Sequence, residues 1–284
     1  MKKRNLLSFI VLALIIASCS ETKKYFSIDE SKLEAQYKPQ DILQLNIVNT
    51  ENKAVDSVVY HINKEKVGKT NGNTSFKFEL KNQKLGYQNI EATVYSEGTT
   101  EIDSSRVELV SPIEPKLLSY TVVNTYSHDF KSFTEGLEFH NDTIYESTGQ
   151  KGNSYFRKYD IKSGKIYKEV TLDKQYFGEG ITVLKGKIFQ LSWQENTGFI
   201  YNQSTCALEK TFTYDKKIEG WGMTNDGKVI FQSDGTEKIW TMDPSTQKMI
   251  NYINVYAGSN KIKSLNELEY IDGKIYANIW QKDA

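Results

Sequence analysis

Alternating apolar and polar positions run through residues 27–112, and this pattern is typical of half-buried β-strands. Turn signals at Asn71-Gly72 and Leu85-Gly86 separate the stretches. Several short strands within roughly 85 residues predict an immunoglobulin-like β-sandwich. The apolar sets that define the strands are Leu43/Leu45/Ile47, Val58/Tyr60/Ile62, Phe76/Phe78/Leu80 and Ile90/Ala92/Val94.

Beyond residue 118 the strand pattern repeats. A predicted strand, Leu118–Asn124, leads into segments that each hold an inner strand, a turn and a second strand ending near an aromatic residue. The period is about 44 residues, and short strands at a period of roughly 40–50 residues are typical of β-propeller blades. We therefore predict an all-β chain in which residues 118–284 form a β-propeller. The aromatic residues in register are Tyr145, Phe189, Phe231 and Tyr276.

The fourth repeat holds only about one and a half of the four strands that a blade contains. Propeller blades bury their faces against their neighbours, and the ring closes only where the last blade meets the first. Three complete repeats and part of a fourth are therefore expected to leave the ring open. Either the sequence is a fragment of a longer product, or the protein lacks part of its site.

Two short segments connect the predicted parts. Residues 20–26 are a polar tether, and residues 113–117 are a linker. The closely spaced Pro112 and Pro115 hold the chain extended at this hinge. The sandwich contains no cysteine pair and no cluster of catalytic residue types. Its expected role is to space the propeller from a membrane, with a binding role as the alternative.

The N-terminus has the layout of a secretory signal. Basic residues at 2–4 precede an apolar run at 6–17 that is too short to span a bilayer. The sequence I-A-S-C at 16–19 resembles a bacterial lipobox, whose cysteine is lipidated and becomes the mature N-terminus. We therefore expect residues 1–19 to be a lipoprotein signal peptide, and the exported protein to be anchored through Cys19 to a bacterial membrane, on its periplasmic or surface face. An ordinary signal peptide is the alternative.

Composition argues against several function classes. Lys+Arg and Asp+Glu both number 36, so the basic footprint of a nucleic-acid-binding protein is missing. The only histidines are His61, His128 and His140, and Cys206 has no partner once Cys19 is lipidated. We therefore predict no zinc site, no Ser-His-Asp arrangement and no disulfide. We also expect no cofactor and a monomer, although the residues leave a structural ion in the channel open.

The innermost position of each repeat carries side chains that a purely structural repeat does not need. The first strand of a blade lies nearest the axis, so these residues should face one another across a channel. A second registered position holds two tryptophans, Trp193 and Trp280, and two glycines, Gly149 and Gly235. Three indoles beside carboxylates favour an aromatic-walled pocket for a small side chain over a core role. The innermost residues are Glu135, Glu179, Trp221 and Asn266.

Glu179 lies between Gly178 and Gly180 and follows Phe177 by two positions. A carboxylate surrounded by aromatic side chains loses its hydration, which raises its pKa towards the range that suits a proton shuttle. The alternative is a channel carboxylate hydrogen-bonded to strand N–H groups. The residues alone leave both interpretations open.

A series of short motifs stands in order along the repeats: F-T-E-G-L at 133–137, Y-E-S-T-G at 145–149, Y-F-G-E-G-I at 176–181, E-G-W-G at 219–222, Q-S-D-G at 232–235, L-N-E-L-E-Y at 265–270 and A-N-I-W at 277–280. From about Tyr120 to Ala284 the chain resembles the glutaminyl-peptide cyclotransferases of the plant and bacterial type. The resemblance implies a five-bladed β-propeller. It also implies conversion of the N-terminal glutamine of peptides or proteins to pyroglutamate, with release of ammonia and without a catalytic zinc.

By position, the resemblance implies roles for individual residues. Glu179 matches the family's catalytic glutamate, and Asn266 matches its polar contact to the substrate. Phe133 and Glu135 match other pocket positions. Plant members have glutamine where this chain has Glu135, so Glu135 is expected either to hold the substrate's ammonium or to raise the pKa of Glu179. The indoles that match the family's substrate pocket are Trp193, Trp221 and Trp280.

The chemistry that the resemblance implies suits these residue types. The α-amine must attack the side-chain amide carbon of the same residue, so a tight indole pocket that folds the glutamine would favour the reaction. Glu179 would take a proton from the amine and give one to the departing nitrogen, and Asn266 would donate to the developing oxyanion. The alternative function is a non-catalytic propeller that binds peptides or sugars in the same channel.

Overall fold

The computed structural model describes residues 23–282, and the predicted lipidation site at Cys19 lies outside them. This part of the chain is built of β-strands, with one short 3-10 helix at Glu30–Lys32, so the prediction of an all-β chain is confirmed. Within the same residues no helix is long and apolar enough to cross a bilayer. Two compact units are present, the first formed by residues 23–32, 45–76 and 90–105 and the second by residues 33–44, 77–89 and 106–282.

The strands before residue 110 follow the predicted alternation. In the first unit β1 pairs with β4, and β5 pairs with both β6 and β8, all antiparallel. The predicted apolar sets Val58/Tyr60/Ile62 of β5 and Ile90/Ala92/Val94 of β8 are buried, and Tyr60 stacks on Phe76 with ring centroids 4.8 Å apart. The sandwich and its boundaries stay predictions. The strands are β1 (Phe26–Ile28), β2 (Gln36–Tyr37), β3 (Ile42–Leu45), β4 (Ile47–Asn49), β5 (Ser57–Ile62), β6 (Glu65–Asn71), β7 (Phe76–Glu79), β8 (Gly86–Ser96) and β9 (Thr99–Leu109).

The second unit contains the repeats as three four-stranded antiparallel sheets and one two-stranded sheet. In each sheet neighbouring strands are consecutive in the chain, as expected for blades. The first sheet is β10 (Thr134–His140), β11 (Thr143–Thr148), β12 (Tyr155–Tyr159) and β13 (Ile166–Thr171). The second is β14 (Gly178–Leu184), β15 (Lys187–Ser192), β16 (Thr197–Asn202) and β17 (Leu208–Thr213). The third is β18 (Met223–Asn225), β19 (Ile230–Ser233), β20 (Lys238–Met242) and β21 (Met249–Asn254).

After the third sheet come a short hairpin, β22 (Tyr256–Ala257) and β23 (Asn260–Lys261), and the two-stranded sheet β24 (Leu265–Ile271) and β25 (Lys274–Ile279). Apolar faces of successive sheets pack against each other. Phe156 and Ile181 lie in the core between the first and second sheets, and Leu191 and Met223 lie in the core between the second and third. The second unit is therefore stabilised by burial between neighbouring sheets, as in a β-propeller.

The inner strands β10, β14, β18 and β24 lie beside one another. Glycine is required where they approach most closely. A Cβ on Gly180 would lie 2.4 Å from the carbonyl oxygen of Trp221, and a Cβ on Gly222 would lie 2.1 Å from that of Asn266. The Gly180 N–H donates to the Trp221 carbonyl at 2.7 Å. The glycines that follow Glu135, Glu179 and Trp221 therefore let the next inner strand contact the backbone directly.

The predicted strand at Leu118–Asn124 is wrong. The structure shows no strand between Leu109 and Thr134, and Leu118, Tyr120 and Val123 are exposed. An apolar alternation produces a strand only where another strand supplies ladder hydrogen bonds. No strand among residues 23–282 pairs with this segment, so its local pattern has no ladder to join.

Candidate functional site

A pocket of about 310 Å³ lies where the inner strands of the second unit begin. It contains every residue for which the sequence predicted a catalytic or substrate-binding role. The structure thus brings together side chains that are far apart in the sequence, while the role of each stays a prediction. The pocket is lined by Phe133, Glu135, Phe177, Glu179, Trp193, Trp221, Asn266 and Trp280.

Irregular strand pairing positions the innermost side chains. The register of β10 with β11 shifts between Thr134 and Gly136, which places Glu135 in the irregular step. Equivalent shifts enclose Glu179 in β14 and Asn266 in β24. A β-bulge leaves a residue outside the ladder and redirects its side chain, and bulges often occur beside active sites. Glu135, Glu179 and Asn266 therefore point into the pocket because their inner strands are bulged at this level.

Glu179 is a buried carboxyl group that lacks a complete set of partners. Its side chain is only 5% exposed, and Oε2 has no hydrogen-bond partner among residues 23–282. Burial raises the pKa of Glu179 to about 10, and the carboxylates of Glu135 and Glu267 add to the rise. The group is therefore a neutral carboxylic acid at neutral pH, able to donate a proton. The interpretation as a carboxylate satisfied by strand N–H groups is not supported for Oε2.

Glu135 and Asn266 form the polar side of the pocket. Burial raises the pKa of Glu135 to about 7, and a hydrogen bond from Asn266 opposes the rise. Glu135 therefore changes charge near neutral pH, while Glu179 stays protonated. Two nearby carboxyl groups with separated pKa values can act as a base and an acid in one reaction.

Aromatic rings enclose the carboxyl groups in pairs. Phe133 meets Phe177 edge to face with centroids 6.0 Å apart, and Phe177 contacts Trp193 at 5.6 Å. Trp221 and Trp280 form a second edge-to-face pair at 6.0 Å. These rings supply apolar walls that exclude water from the carboxyl groups.

The two glycines in register with the tryptophans make room for these rings. A Cβ on Gly149 would lie 2.3 Å from Cζ of Phe177, and a Cβ on Gly235 would lie 2.5 Å from the Trp221 indole. Gly235 also has a φ of +74°, in the region that favours glycine. The alternation of glycine and tryptophan is therefore a packing requirement of the pocket.

Sequence reasoning did not assign roles to two residues of this site. Phe177 lines the pocket, and Glu219 accepts hydrogen bonds from the indole N–H groups of Trp193 at 2.8 Å and Trp221 at 3.0 Å. Gln194 donates to the other carboxylate oxygen at 3.0 Å. Burial opposes ionisation of Glu219, but these three hydrogen bonds together lower its pKa. The repeat register could have identified both residues. Phe177 and Glu219 each precede an innermost residue by two positions, as Phe133 does.

A buried ion pair fixes the chain beside Phe133. Arg157 donates to the fully buried Glu146 at 2.7 Å and to the hydroxyl of Ser132 at 2.8 Å. The hydroxyl of Thr134 donates to Glu146 at 2.6 Å. Both neighbours of Phe133 are therefore held to the first sheet, which fixes the position of its ring at the pocket mouth.

The histidine and cysteine side chains that could bind a metal ion have other surroundings in the described part of the chain. Among residues 23–282 no group of three or more His, Cys, Asp or Glu side chains is arranged to hold a metal ion. His128 lies 2.9 Å from Oε1 of Glu146, and Cys206 is free and buried. Independence from metals and cofactors stays a prediction about the reaction.

Comparisons with known proteins agree with this geometry. The family model for glutamine cyclotransferase matches residues 90–284. A glutaminyl-peptide cyclotransferase of Arabidopsis thaliana is 43% identical over 163 residues, which cover 57% of this chain and 51% of that protein. The chain thus spans about half the length of this curated relative.

Among solved structures, the glutaminyl cyclase of Myxococcus xanthus matches with a TM-score of 0.52 and 28% sequence identity. The match covers 57% of this chain and 67% of that structure. The family model extends over most of the described repeats and includes every residue that lines the pocket. The chain therefore belongs to the glutamine cyclotransferase family.

Proposed function

We propose that the protein is a glutaminyl-peptide cyclotransferase, which converts the N-terminal glutamine of peptides or proteins to pyroglutamate and releases ammonia. The observation that carries the proposal is the buried carboxyl group of Glu179, whose Oε2 lacks a partner and faces an aromatic pocket. The family membership and the name of the Arabidopsis relative support the same reaction.

The pocket suits a small amphipathic side chain with an adjacent amine. Its volume of about 310 Å³ is at the lower end of the range typical of ligand pockets. The carboxylate of Glu135 attracts the α-ammonium, and the rings of Trp193 and Trp221 confine the glutamine side chain. A confined side chain spends more time with its amide carbon near the amine, which lowers the entropic part of the barrier.

Proton transfer follows from the two separated pKa values. A peptide α-amine has a pKa near ~7.7–8.0, so Glu135, with a pKa of about 7, is able to take the proton that frees the amine. The amine nitrogen then bonds to the amide carbon. Glu179 gives its proton to the departing nitrogen and takes one from the attacking nitrogen. The C–N bond of the amide breaks, ammonia leaves as ammonium with the proton held by Glu135, and Glu179 is again protonated.

Asn266 is suited to stabilise the intermediate. A carboxamide carries two N–H donors, and one of them is used by the hydrogen bond to Glu135. The second donor is available for the oxygen that gains negative charge when the amine adds to the amide carbon. Removal of the Asn266 carboxamide is therefore expected to lower kcat more than it raises KM.

We also propose the finer features of architecture and location. The ring is a five-bladed propeller, supported by the extended, exposed segment around Tyr120 and by the exposed face of the sheet β24–β25, where Tyr276 is 52% exposed. The lipobox-like sequence supports lipidation of Cys19 and attachment to a bacterial membrane. Incorporation of a radiolabelled fatty acid, lost in Cys19→Ala, is the measurement that checks the anchor.

Turnover separates an enzyme from a binding module. The protein is expected to release ammonia from Gln-Ala, measured with a coupled assay, and to form pyroglutamyl-Ala, measured by mass spectrometry. N-acetyl-Gln-Ala, which lacks the attacking amine, and Asn-Ala, which would require a strained four-membered ring, are expected to release none. Binding of Gln-Ala without ammonia release would favour the non-catalytic propeller.

A further inference from the structure

A second, larger depression lies beside the pocket on the same unit. Its volume is about 930 Å³, and it is formed mainly by the connection between β17 and β18. Ile218 is half-buried in it, and Lys216 and Lys217 are exposed on it. We call this depression the connection groove.

The connection groove continues from the pocket. Trp221 lines both cavities, and Glu219, which lines the groove, accepts the indole N–H groups of Trp193 and Trp221. The pocket volume is about 310 Å³, so it is suited to one residue and the rest of a peptide must leave it. The adjoining groove, which shares a wall with the pocket, offers a path of sufficient size.

The acidic groups of the groove are occupied by internal hydrogen bonds. Asp234 accepts from the indole N–H of Trp240 at 2.8 Å and from the Thr236 N–H at 3.0 Å. Asp215 accepts from the Met249 N–H at 3.1 Å. The carboxylate of Glu219 is used by three donors, as described above.

The basic groups of the groove, Lys216 and Lys217, are exposed and within reach of a ligand. Lys217 makes no ion pair with any residue of the described part of the chain, and Lys216 is 3.8 Å from Asp215 at the closest. Neutral donors do not cancel the charge of the carboxylates, but they occupy carboxylate oxygens, so the two ammonium groups are the charged groups with hydrogen-bonding capacity left for a ligand. The pocket beside it offers carboxyl groups, so the two cavities together suit a chain with an amine at its end and an acid shortly after it.

We propose that the connection groove binds the residues that follow the N-terminal glutamine, and that Lys216 and Lys217 favour acidic side chains at these positions. The proposal rests on the proposed cyclotransferase function and names its preferred substrate class. Exposed ion pairs contribute little individually, so the expected preference is moderate.

The test compares tripeptides that differ in one charge. At low ionic strength kcat/KM for Gln-Asp-Ala and Gln-Ala-Asp is expected to exceed that for Gln-Lys-Ala and Gln-Ala-Lys by about 3- to 10-fold. The double variant Lys216→Glu/Lys217→Glu is expected to reverse this order through KM. Lys228→Glu, in the turn between β18 and β19, is a matched control that changes charge outside the groove lining and is expected to keep the order.

The outcomes separate the two proposals. Turnover of Gln-Ala-Ala with no charge preference, or with a preference that the double variant leaves unchanged, overturns the groove proposal and leaves the cyclotransferase intact. Absence of turnover for every glutamine peptide overturns the proposed function and the groove proposal with it. A preference that fades at high salt and reverses in the double variant supports the groove.

Discussion

The two ends of the inner strands bury carboxyl groups in different ways. The front end is the pocket with Glu135 and Glu179. The rear end lies three residues further along the same strands and carries Glu138, Thr182 and Glu269. Burial raises the pKa of Glu138 to about 7, as it does for Glu135 at the front. The two ends therefore resemble each other in desolvation.

The front and rear ends differ in the hydrogen bonds that their buried carboxyl groups accept. At the rear, the Thr182 hydroxyl and the Val183 N–H both donate to the carboxyl group of Glu138, the latter at 2.9 Å. Asn225 in turn donates to the Thr182 hydroxyl at 2.7 Å. At the front, Oε2 of Glu179 has no such partner. A raised pKa alone therefore does not identify the reactive group, whereas a raised pKa with an unpartnered oxygen facing a cavity does.

The largest expected effect is on turnover. Glu179→Gln keeps the size of the side chain but removes the proton that the proposed shuttle transfers. We expect kcat for Gln-Ala to fall by about 10²–10⁴-fold with little change in peptide affinity, measured by ammonia release and by calorimetric titration. Glu138→Gln is the matched control at the rear end. Equal losses in both variants would contradict the distinction between the two ends.

The next effect concerns stability and pH. The folded-state pKa of Glu138 lies above its ordinary value, so its protonated form stabilises the fold at pH 4.5 and below. That contribution is lost as pH rises from about 4.5 through about 7. In Glu138→Gln the decrease in the free energy of unfolding between pH 5 and 8 is expected to be smaller by about 2–3 kcal/mol, measured by urea denaturation. If the free energy of unfolding of the variant changed with pH as it does in the parent protein, Glu138 would not titrate in this range.

A smaller effect is expected at the aromatic wall of the front end. Glu219→Ala removes the acceptor that holds Trp193 and Trp221, so both indoles gain freedom. We expect about a tenfold rise in KM with a smaller change in kcat, because Glu219 positions the rings without contacting the reacting atoms. Partial rescue by Glu219→Gln, which keeps one acceptor oxygen, is the diagnostic result. A loss confined to kcat would assign Glu219 a direct part in the reaction.

The smallest expected effect is on stability and concerns Gln232, a buried residue outside the pocket. Both amide atoms of the fully buried Gln232 lack partners in the described residues, whereas the equivalent Gln190 bonds to Ser147 and Tyr201. For Gln232, Leu191 of the second sheet takes the place of Ser147, and Met242 of the third sheet takes the place of Tyr201. Gln232→Leu is therefore expected to raise the free energy of unfolding by about 1 kcal/mol with unchanged turnover. A lower free energy of unfolding in Gln232→Leu would instead indicate that the side-chain amide of Gln232 has a hydrogen-bond partner.

Much of the fold and the site follows from local sequence patterns. Side-chain alternation and turn residues place the strands, and the repeat register selects Glu135, Glu179 and Asn266 before any contact is known. This works because a repeat puts equivalent residues at equivalent places in space. The same logic predicted a strand at Leu118–Asn124 that does not form, because strand formation depends on a partner as well as on alternation.

The sequence by itself determined the all-β class, the blade-like repeats and every residue of the pocket except Phe177, since these depend on the repeat period and on short motifs within one segment. Tertiary structure decided the bulges that turn the innermost side chains inward, the ring contacts that require Gly149, and the role of Glu219 as acceptor for two indoles. It also decided that Oε2 of Glu179 stays without a hydrogen-bond partner at the pocket. Hydrogen bonds and desolvation arise between side chains that are distant in sequence, such as Glu138 and Thr182, which are 44 residues apart, and such pairs come into contact only when the sheets pack.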